Sequence, residues 1–246
     1  TTVDATDSTI GSALRLIVKE TVKPVIKLVQ PSTGAYISNN MLPIIFDVTD
    51  EACGSGVKLS TVALKLSGAT YKDGSVGMGK TAITNGYRFT YTPQSALEDG
   101  AKTIEITATD NDGNAATTAK ATFTVDTIPP TLTISEPASG LITKQSNLIV
   151  KGVTNDTTSS PVTVTVVHGS KTYSPTVGDT GAFAQAVVLT EGTNTIKVTA
   201  MDAAGKTTGI TLTVSLDTTV PTVKSVVMSP NPANVSGSVV ITLEVE

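Results

Sequence analysis

Three stretches of this chain repeat one pattern, and that repetition limits the fold more than any other feature. They read VDATDSTIGSALRLIVKETVKP, ITATDNDGNAATTAKATFTVDTIPP and VTAMDAAGKTTGITLTVSLDTTVP. Each holds an alternating run, an aspartate (Asp7, Asp110, Asp202), a glycine (Gly11, Gly113, Gly205) and a second alternating run. An acid (Glu20, Asp126, Asp217) and, four positions on, a proline (Pro24, Pro130, Pro221) close each copy. From position 7 to 110 to 202 the aspartates fall 103 and then 92 residues apart, which is the size of one small β-sandwich. Downstream of the prolines the agreement continues, VIKLVQPSTG matching TLTISEPASG, so that Pro31 and Gly34 stand opposite Pro137 and Gly140.

The alternation fixes the class. Ile104, Ile106 and Ala108 point one way before the Asp-Gly segment, and Ala121, Phe123 and Val125 do so after it, which is the period of two half-buried strands joined by a turn. Asp110 to Asn114 also carries oxygen-bearing side chains at alternate positions, as an EF-hand calcium loop does. No glutamate stands at the twelfth position and no helical period flanks it, so an EF-hand is excluded.

Further strands are expected at 42–48, 62–66, 82–84 and 87–91 in one repeat, and at 148–153, 162–167, 183–189 and 195–200 in the next. About seven short strands per repeat predict an all-β protein of antiparallel two-sheet sandwiches. Pro43 then belongs at a strand start or on an edge. The predicted parse is the last hairpin of one repeat (1–21), two whole sandwiches (22–127 and 128–218) and the first strands of another (219–246). The opening in mid-pattern reads as a fragment excised from something longer.

Composition agrees. Apolar residues make up 39% but aromatics only 4%, without tryptophan, so the cores must be built from Val, Ile, Leu and Ala. Charged residues are 15% and the net charge is −4, which argues against nucleic acid. The single cysteine, Cys53, allows no internal disulfide. No apolar run reaches the length of a membrane span or a signal peptide.

The strand-and-turn segments EGTNTIKVTAMDAAG (191–205) and EDGAKTIEITATDNDGN (98–114), the linkers VDTIPPT and LDTTVPT, and SGVKLSTVALKLSG (55–68) resemble the tandem bacterial immunoglobulin-like domains of large surface proteins and modular secreted enzymes. The resemblance covers nearly the whole chain; the first linker departs from it, with Glu20 and Lys23 in place of Asp-Thr and an apolar residue. It implies an elongated array of immunoglobulin-like sandwiches, extracellular or on a bacterial cell surface, whose partners are the neighbouring repeats and a host-surface protein or glycan. The leading expectation is a non-catalytic stalk or adhesion segment. Decoration of a phage virion and an accessory module of a secreted polysaccharide-active enzyme are the alternatives.

In such sandwiches the loops after the second and the sixth strand lie at the pole where the chain arrives, facing the acid of the preceding linker. That implies two groups: Glu20, Asp50, Glu51, Asp110 and Asp112 ahead of the first whole domain, and Asp126, Asn155, Asp156 and Asp202 ahead of the second. Two readings of these acids stand. Clustered carboxylates on loops suit calcium, which takes six to eight hard oxygen ligands. Alternatively, Asp110 and Asp202 accept hydrogen bonds within their own turns, while Asp126 and Asp217 sit solvated before proline.

The remaining candidates lead elsewhere. His168, the only histidine, lacks the partners of a zinc site or triad and is expected exposed at a strand end. Tyr87, Phe89 and Tyr91 alternate on one strand and are expected in a core. No carboxylate pair flanks a cleft as glycoside hydrolysis requires, so no catalytic residue is assigned. The segment 68–86 is expected to be the longest irregular one, suited to ligand contact.

Overall fold

A computed structural model describes residues 19–229 and 240–245. The hairpin expected around Asp7 and Gly11, and residues 230–239 of the last repeat, lie outside the described residues. The chain divides into two compact units, the first running to Ile128 and the second starting at Pro129.

The first unit is a sandwich of two sheets. One holds β1 (Val25–Gln30), β3 (Ile44–Thr49), β7 (Gly86–Tyr91) and β6 (Met78–Ile83) in that spatial order. The other runs β2 (Tyr36–Ile37), β9 (Ala119–Val125), β8 (Gly100–Thr107), β4 (Ala63–Leu66) and β5 (Ala69–Lys72). Pairing is antiparallel except β2 on β9. Because strand side chains alternate between faces, Ile44, Phe46, Val48, Phe89 and Tyr91 of one sheet meet Leu64, Leu66, Ile104, Ile106, Phe123 and Val125 of the other in a single core. Phe46 stacks on Phe89, centroids 5.2 Å apart. Pro43 stands just before β3, where its missing N–H breaks no ladder bond.

The second unit repeats the plan. Its smaller sheet orders β10 (Thr131–Glu136), β12 (Asn147–Asn155) and β15 (Ala182–Val188). Its larger one orders β11 (Leu141–Thr143), β17 (Thr207–Leu216), β16 (Gly192–Met201), β13 (Thr163–His168) and β14 (Lys171–Tyr173). Leu132, Val150, Phe183 and Val187 face Val164, Val166, Ile196, Val198, Leu212 and Val214 in a core of their own. A final antiparallel hairpin pairs β18 (Val223–Ser229) with β19 (Val240–Val245).

The sequence repeat also governs detail. In both units the first strand slips register four residues after the linker proline, between Leu28 and Gln30 and between Ile134 and Glu136. The chain then leaves one sheet through Pro31 or Pro137 and pairs parallel with the last strand of the other, as β2 on β9 and β11 on β17. A bulge followed by proline ends one ladder and redirects the strand.

Three expectations need correction. Segment 68–86 is mostly strand, β5 and β6 flanking a turn at Asp73 and Gly74; both strands are edge strands with few buried positions, so no apolar period betrays them. His168 is half-buried and bonded through Nε2 to Asn194 Oδ1 at 2.9 Å, not exposed. Asp126 is buried and accepts the Ile128 N–H at 3.1 Å, whereas Asp217 is solvated, as expected, and is held below the usual carboxylate range by hydrogen bonds from Thr219.

Candidate cation site at the N-terminal pole of the first domain

The pole where the chain reaches the first domain is built by two loops stitched together. The loop after β3 bonds to the β8–β9 turn: Asn111 N–H donates to Gly56 O and Lys58 N–H to Thr109 O, both at 2.9 Å, and Val57 bridges Asp110. Asn111 Nδ2 adds bonds to Ser55 O and Gly56 O at 2.8 and 3.0 Å.

Asp110 sits at the centre, fully buried. Its Oδ1 accepts the N–H of Gly113 (2.6 Å) and Asn114 (2.8 Å), and its Oδ2 accepts Asn114 Nδ2 at 2.7 Å. Gly113 takes φ +97°, which only glycine adopts without strain. Burial alone would raise the Asp110 carboxyl, but the bonds from Asn114, contact with Glu20 and the Gly113 N–H together hold it below its ordinary value. A carboxylate offers about four lone-pair sites, and the turn uses three.

Asp50 arrives from the end of β3, its N–H bound to Asn85 O at 2.8 Å and its Oδ2 accepting Gly56 N–H at 2.6 Å. It is 7% exposed, and its Oδ1 is buried without a hydrogen-bond partner; Glu51 Oε2 is in the same condition. Gly54 makes this crowding feasible, since a Cβ there would lie 2.7 Å from the Glu51 carboxyl and 2.8 Å from Asp50 Oδ2. The Glu51 carboxyl is held down by its own backbone N–H, but contact with Asp50, burial and the charges of Asp50 and Glu20 outweigh this and raise it.

Glu20 joins from the segment preceding β1. Its N–H donates to Asp112 Oδ2 at 2.9 Å, its Oε1 accepts Asn114 Nδ2 at 3.1 Å and Ser55 Oγ at 3.3 Å, and Asn114 Nδ2 also reaches its carbonyl at 3.1 Å. Glu20, Asp50 and Asp110 thereby present carboxylate oxygens that all lie within 4.8 Å of one another. None of the ion pairs among the described residues involves these acids. Two like charges about 4 Å apart repel by ~4 kcal/mol at an effective dielectric of ~20, so the arrangement calls for positive charge.

Of the first expected group, three members converge, Glu51 flanks them against Asp50, and Asp112 sits at the rim as an acceptor for the Glu20 backbone. In the second domain Asp156 Oδ1 accepts the N–H groups of Thr158 (2.7 Å) and Ser159 (2.8 Å), and Asp202 Oδ1 accepts Lys206 N–H (2.8 Å). Asp202 Oδ2 is buried without a partner, and Asp156 and Asp202 offer oxygens within 4.8 Å of each other. Sequence reasoning missed Ser55 and Asn114, which tie Glu20 to the loops, and Gly54, which makes room for the carboxyl pair. Only the Asx-turn signature of Asp110 to Asn114 hinted at Asn114.

With this geometry established, the relationships of the chain can be read. Residues 24–127 match the family described as bacterial Ig-like domain, and residues 130–218 match the family described as glucodextranase, domain B. The first sandwich thus matches the bacterial Ig-like family and the second matches glucodextranase domain B. Bacillopeptidase F of Bacillus subtilis (strain 168) is 34% identical over 112 residues, a stretch that is 46% of this tandem and 7% of the relative. Among solved structures, the fibronectin(III)-like modules of Clostridium thermocellum CbhA are similar with a TM-score of 0.46 and 15% identity, over 78% of the tandem and 94% of the modules. A 1.5-MDa bacterial ice-binding adhesin gives a TM-score of 0.38 and 20% identity, over 79% and 65%.

Proposed function

We propose that this immunoglobulin-like tandem is a non-catalytic spacer, a stalk segment of a bacterial extracellular protein. One observation carries the reading: each domain takes the chain in at one pole and releases it at the other. In the first, Val25 starts opposite Thr49 on the side of the Asp110 turn, while Val125 ends opposite Gly100 at the far end of β8. In the second, Thr208 Oγ1 bonds Pro130 O beside the start of β17, while Leu216 ends opposite Gly192. At about 3.4 Å per residue, a domain whose central strands run eight to ten residues carries the chain roughly 25–30 Å.

Linker prolines at Pro24, Pro129, Pro130 and Pro221 restrict the backbone between copies, which suits distance-keeping. In this reading the partners are the repeats that precede and follow in the same protein. Small-angle scattering tests it. A single compact body of this length has a radius of gyration near 18 Å; the spacer reading expects a clearly larger value, and a value near 18 Å would sink it.

A further inference from the structure

We propose that β15 of the second domain is a pairing edge for a second copy of this chain: two β15 strands meet antiparallel and join two sheets into one. This goes beyond the spacer reading and does not depend on it.

The first domain shows what the second leaves open. There β7 lies between β3 and β6, whereas β15, in the corresponding place beside β12, has no strand on its far side. Thr154 N–H donates to Gly181 O at 2.9 Å and Leu189 N–H to Ser146 O at 2.7 Å. Bonding positions alternate along an antiparallel pair, so Phe183, Gln185 and Val187 give their backbone groups to β12, while Ala182, Ala184, Ala186 and Val188 turn theirs to the open edge. Two of those groups are met from within the domain: Ala182 O accepts Gly178 N–H at 2.9 Å, and Ala186 O accepts Nε2 of the Gln185 side chain at 2.8 Å.

An open edge is a template for a further strand, and folded chains guard it with shortness, charge, proline or a bulge. Every other outer strand of the two sandwiches carries such a guard. β2, β11 and β14 run three residues or fewer, β1 and β10 break register at a bulge, and β5 and β6 hold Lys72 and Lys80. β15 reads AFAQAVV, seven residues with no charge, proline, glycine or bulge. On its solvent face Ala182, Ala184, Ala186 and Val188 stand beside Ile149 and Val153 of β12, both exposed.

The strand is complementary to itself, which selects a second copy as the occupant. Set antiparallel about Ala186, it places Ala184 opposite Val188, brings no like charges together and forms about six N–H···O bonds. That register avoids Ala182, whose carbonyl is already taken. A two-fold contact of this kind closes at two copies. Lys151, opposite Ala184 on β12, is paired with Glu136 at 2.9 Å. A contact between two strands buries far less than the ~800 Å² per partner of a standard interface, so the dimer forms only as the chain is concentrated.

The test is sedimentation equilibrium of the intact chain from roughly 10 μM to 1 mM, with amide hydrogen exchange at both ends of that range. Expected is a mass that rises from one chain toward two, with exchange at Ala184, Ala186 and Val188 slowed only at high concentration. Ala186→Lys and Ala186→Glu should each weaken association roughly fivefold by setting like charges opposite one another, and mixing the two variants should restore it. Ala186→Pro removes an N–H that β12 does not use, so it should weaken the dimer further and leave the second domain folded in a thermal melt. A mass that stays at one chain throughout would overturn the proposal. So would association that survives all three variants, which would place the contact on another surface such as the exposed β18–β19 hairpin. Slowed exchange without a rise in mass would overturn it as well, since the edge would then be closed within one chain, and failure of the mixed variants to recover would overturn the pairing about Ala186.

Discussion

Replacing Phe89 by alanine should unfold the first domain early and leave the second where it is. Phe89 is fully buried in β7, stacked on Phe46 of β3 with centroids 5.2 Å apart and planes at 11°, and it lies 6.4 Å from the Tyr87 ring. Truncating a buried phenylalanine costs about 3–5 kcal/mol, of which the ring–ring contact accounts for ~0.5–1.5 kcal/mol. Domains of this size hold only ~5–15 kcal/mol in all. Each kcal/mol moves the midpoint by roughly 4–8 °C in a domain of about 100 residues, so the first-domain transition should fall by roughly 12 °C or more. The second domain builds its core from its own residues, so its transition should stay. The chain suits the assay: it has no tryptophan, and four of its five tyrosines, Tyr36, Tyr71, Tyr87 and Tyr91, lie in the first domain. Tyrosine fluorescence therefore follows that domain while calorimetry sees both. A cycle with Phe46→Ala should return the ring coupling. A loss below ~1 kcal/mol, or both transitions moving together, would refute the packing argument and the independence of the two cores.

Other perturbations follow from equally local geometry. Asn194, 3% exposed, bonds Thr190 N–H, Thr190 Oγ1 and His168 through Oδ1 and the Thr190 and Gly192 carbonyls through Nδ2; Asn194→Ala strands several of these groups and should lower second-domain stability by at least ~1–3 kcal/mol in a denaturant melt. Gly181→Ala should also destabilise that domain, because φ is +79° and the new Cβ would lie 1.8 Å from Thr154 O; an unchanged melt would show that the β12–β15 junction yields freely. Asp47 is held below its ordinary value of 3.8 first by the Arg88 hydrogen bonds, against burial, with the charges of Arg88 and Lys27 helping. A depressed folded value means that the contribution is complete above 3.8 and is lost as pH falls through the lower folded value. Asp47→Asn should therefore lower first-domain stability near neutrality, where the contribution is complete, and the gap to the unaltered chain should close as pH falls below 3.8.

What the sequence disclosed followed from burial. Ile104, Ile106, Ala108, Ala121, Phe123 and Val125 alternate because one face of β8 and β9 and of the adjoining turn packs into the core, and all six are buried; the Tyr87, Phe89, Tyr91 stripe turned inward for the same reason. The edge strands β5 and β6 stayed hidden because few of their residues are buried, so hydrophobic period has nothing to record there. Asp126 was misjudged because a turn-forming aspartate before proline reads the same whether it is solvated or, as here, fully buried.

The DNDGN segment shows why turn chemistry and ion binding could not be separated by spacing. In sequence they compete for one aspartate; in the structure the turn takes up only part of it. Asp110 gives Oδ1 entirely to Gly113 and Asn114 and only half of Oδ2 to the Asn114 side chain, so a complete turn still leaves one acceptor site unused by it. The deciding information lies in Asp50, a residue whose sequence context, Thr-Asp-Glu-Ala at a strand end, looks like any solvated loop. It becomes informative only when Gly54 and Gly56 are seen folding over it, one leaving room for the carboxyl pair and one donating to a single oxygen. Asn114 presses the same point from the other side: by bonding both the Glu20 carboxyl and the Glu20 carbonyl, it holds the carboxyl in the group against the repulsion of its neighbours. The same arrangement that spends donors to keep like charges together leaves two buried oxygens, Asp50 Oδ1 and Glu51 Oε2, without any.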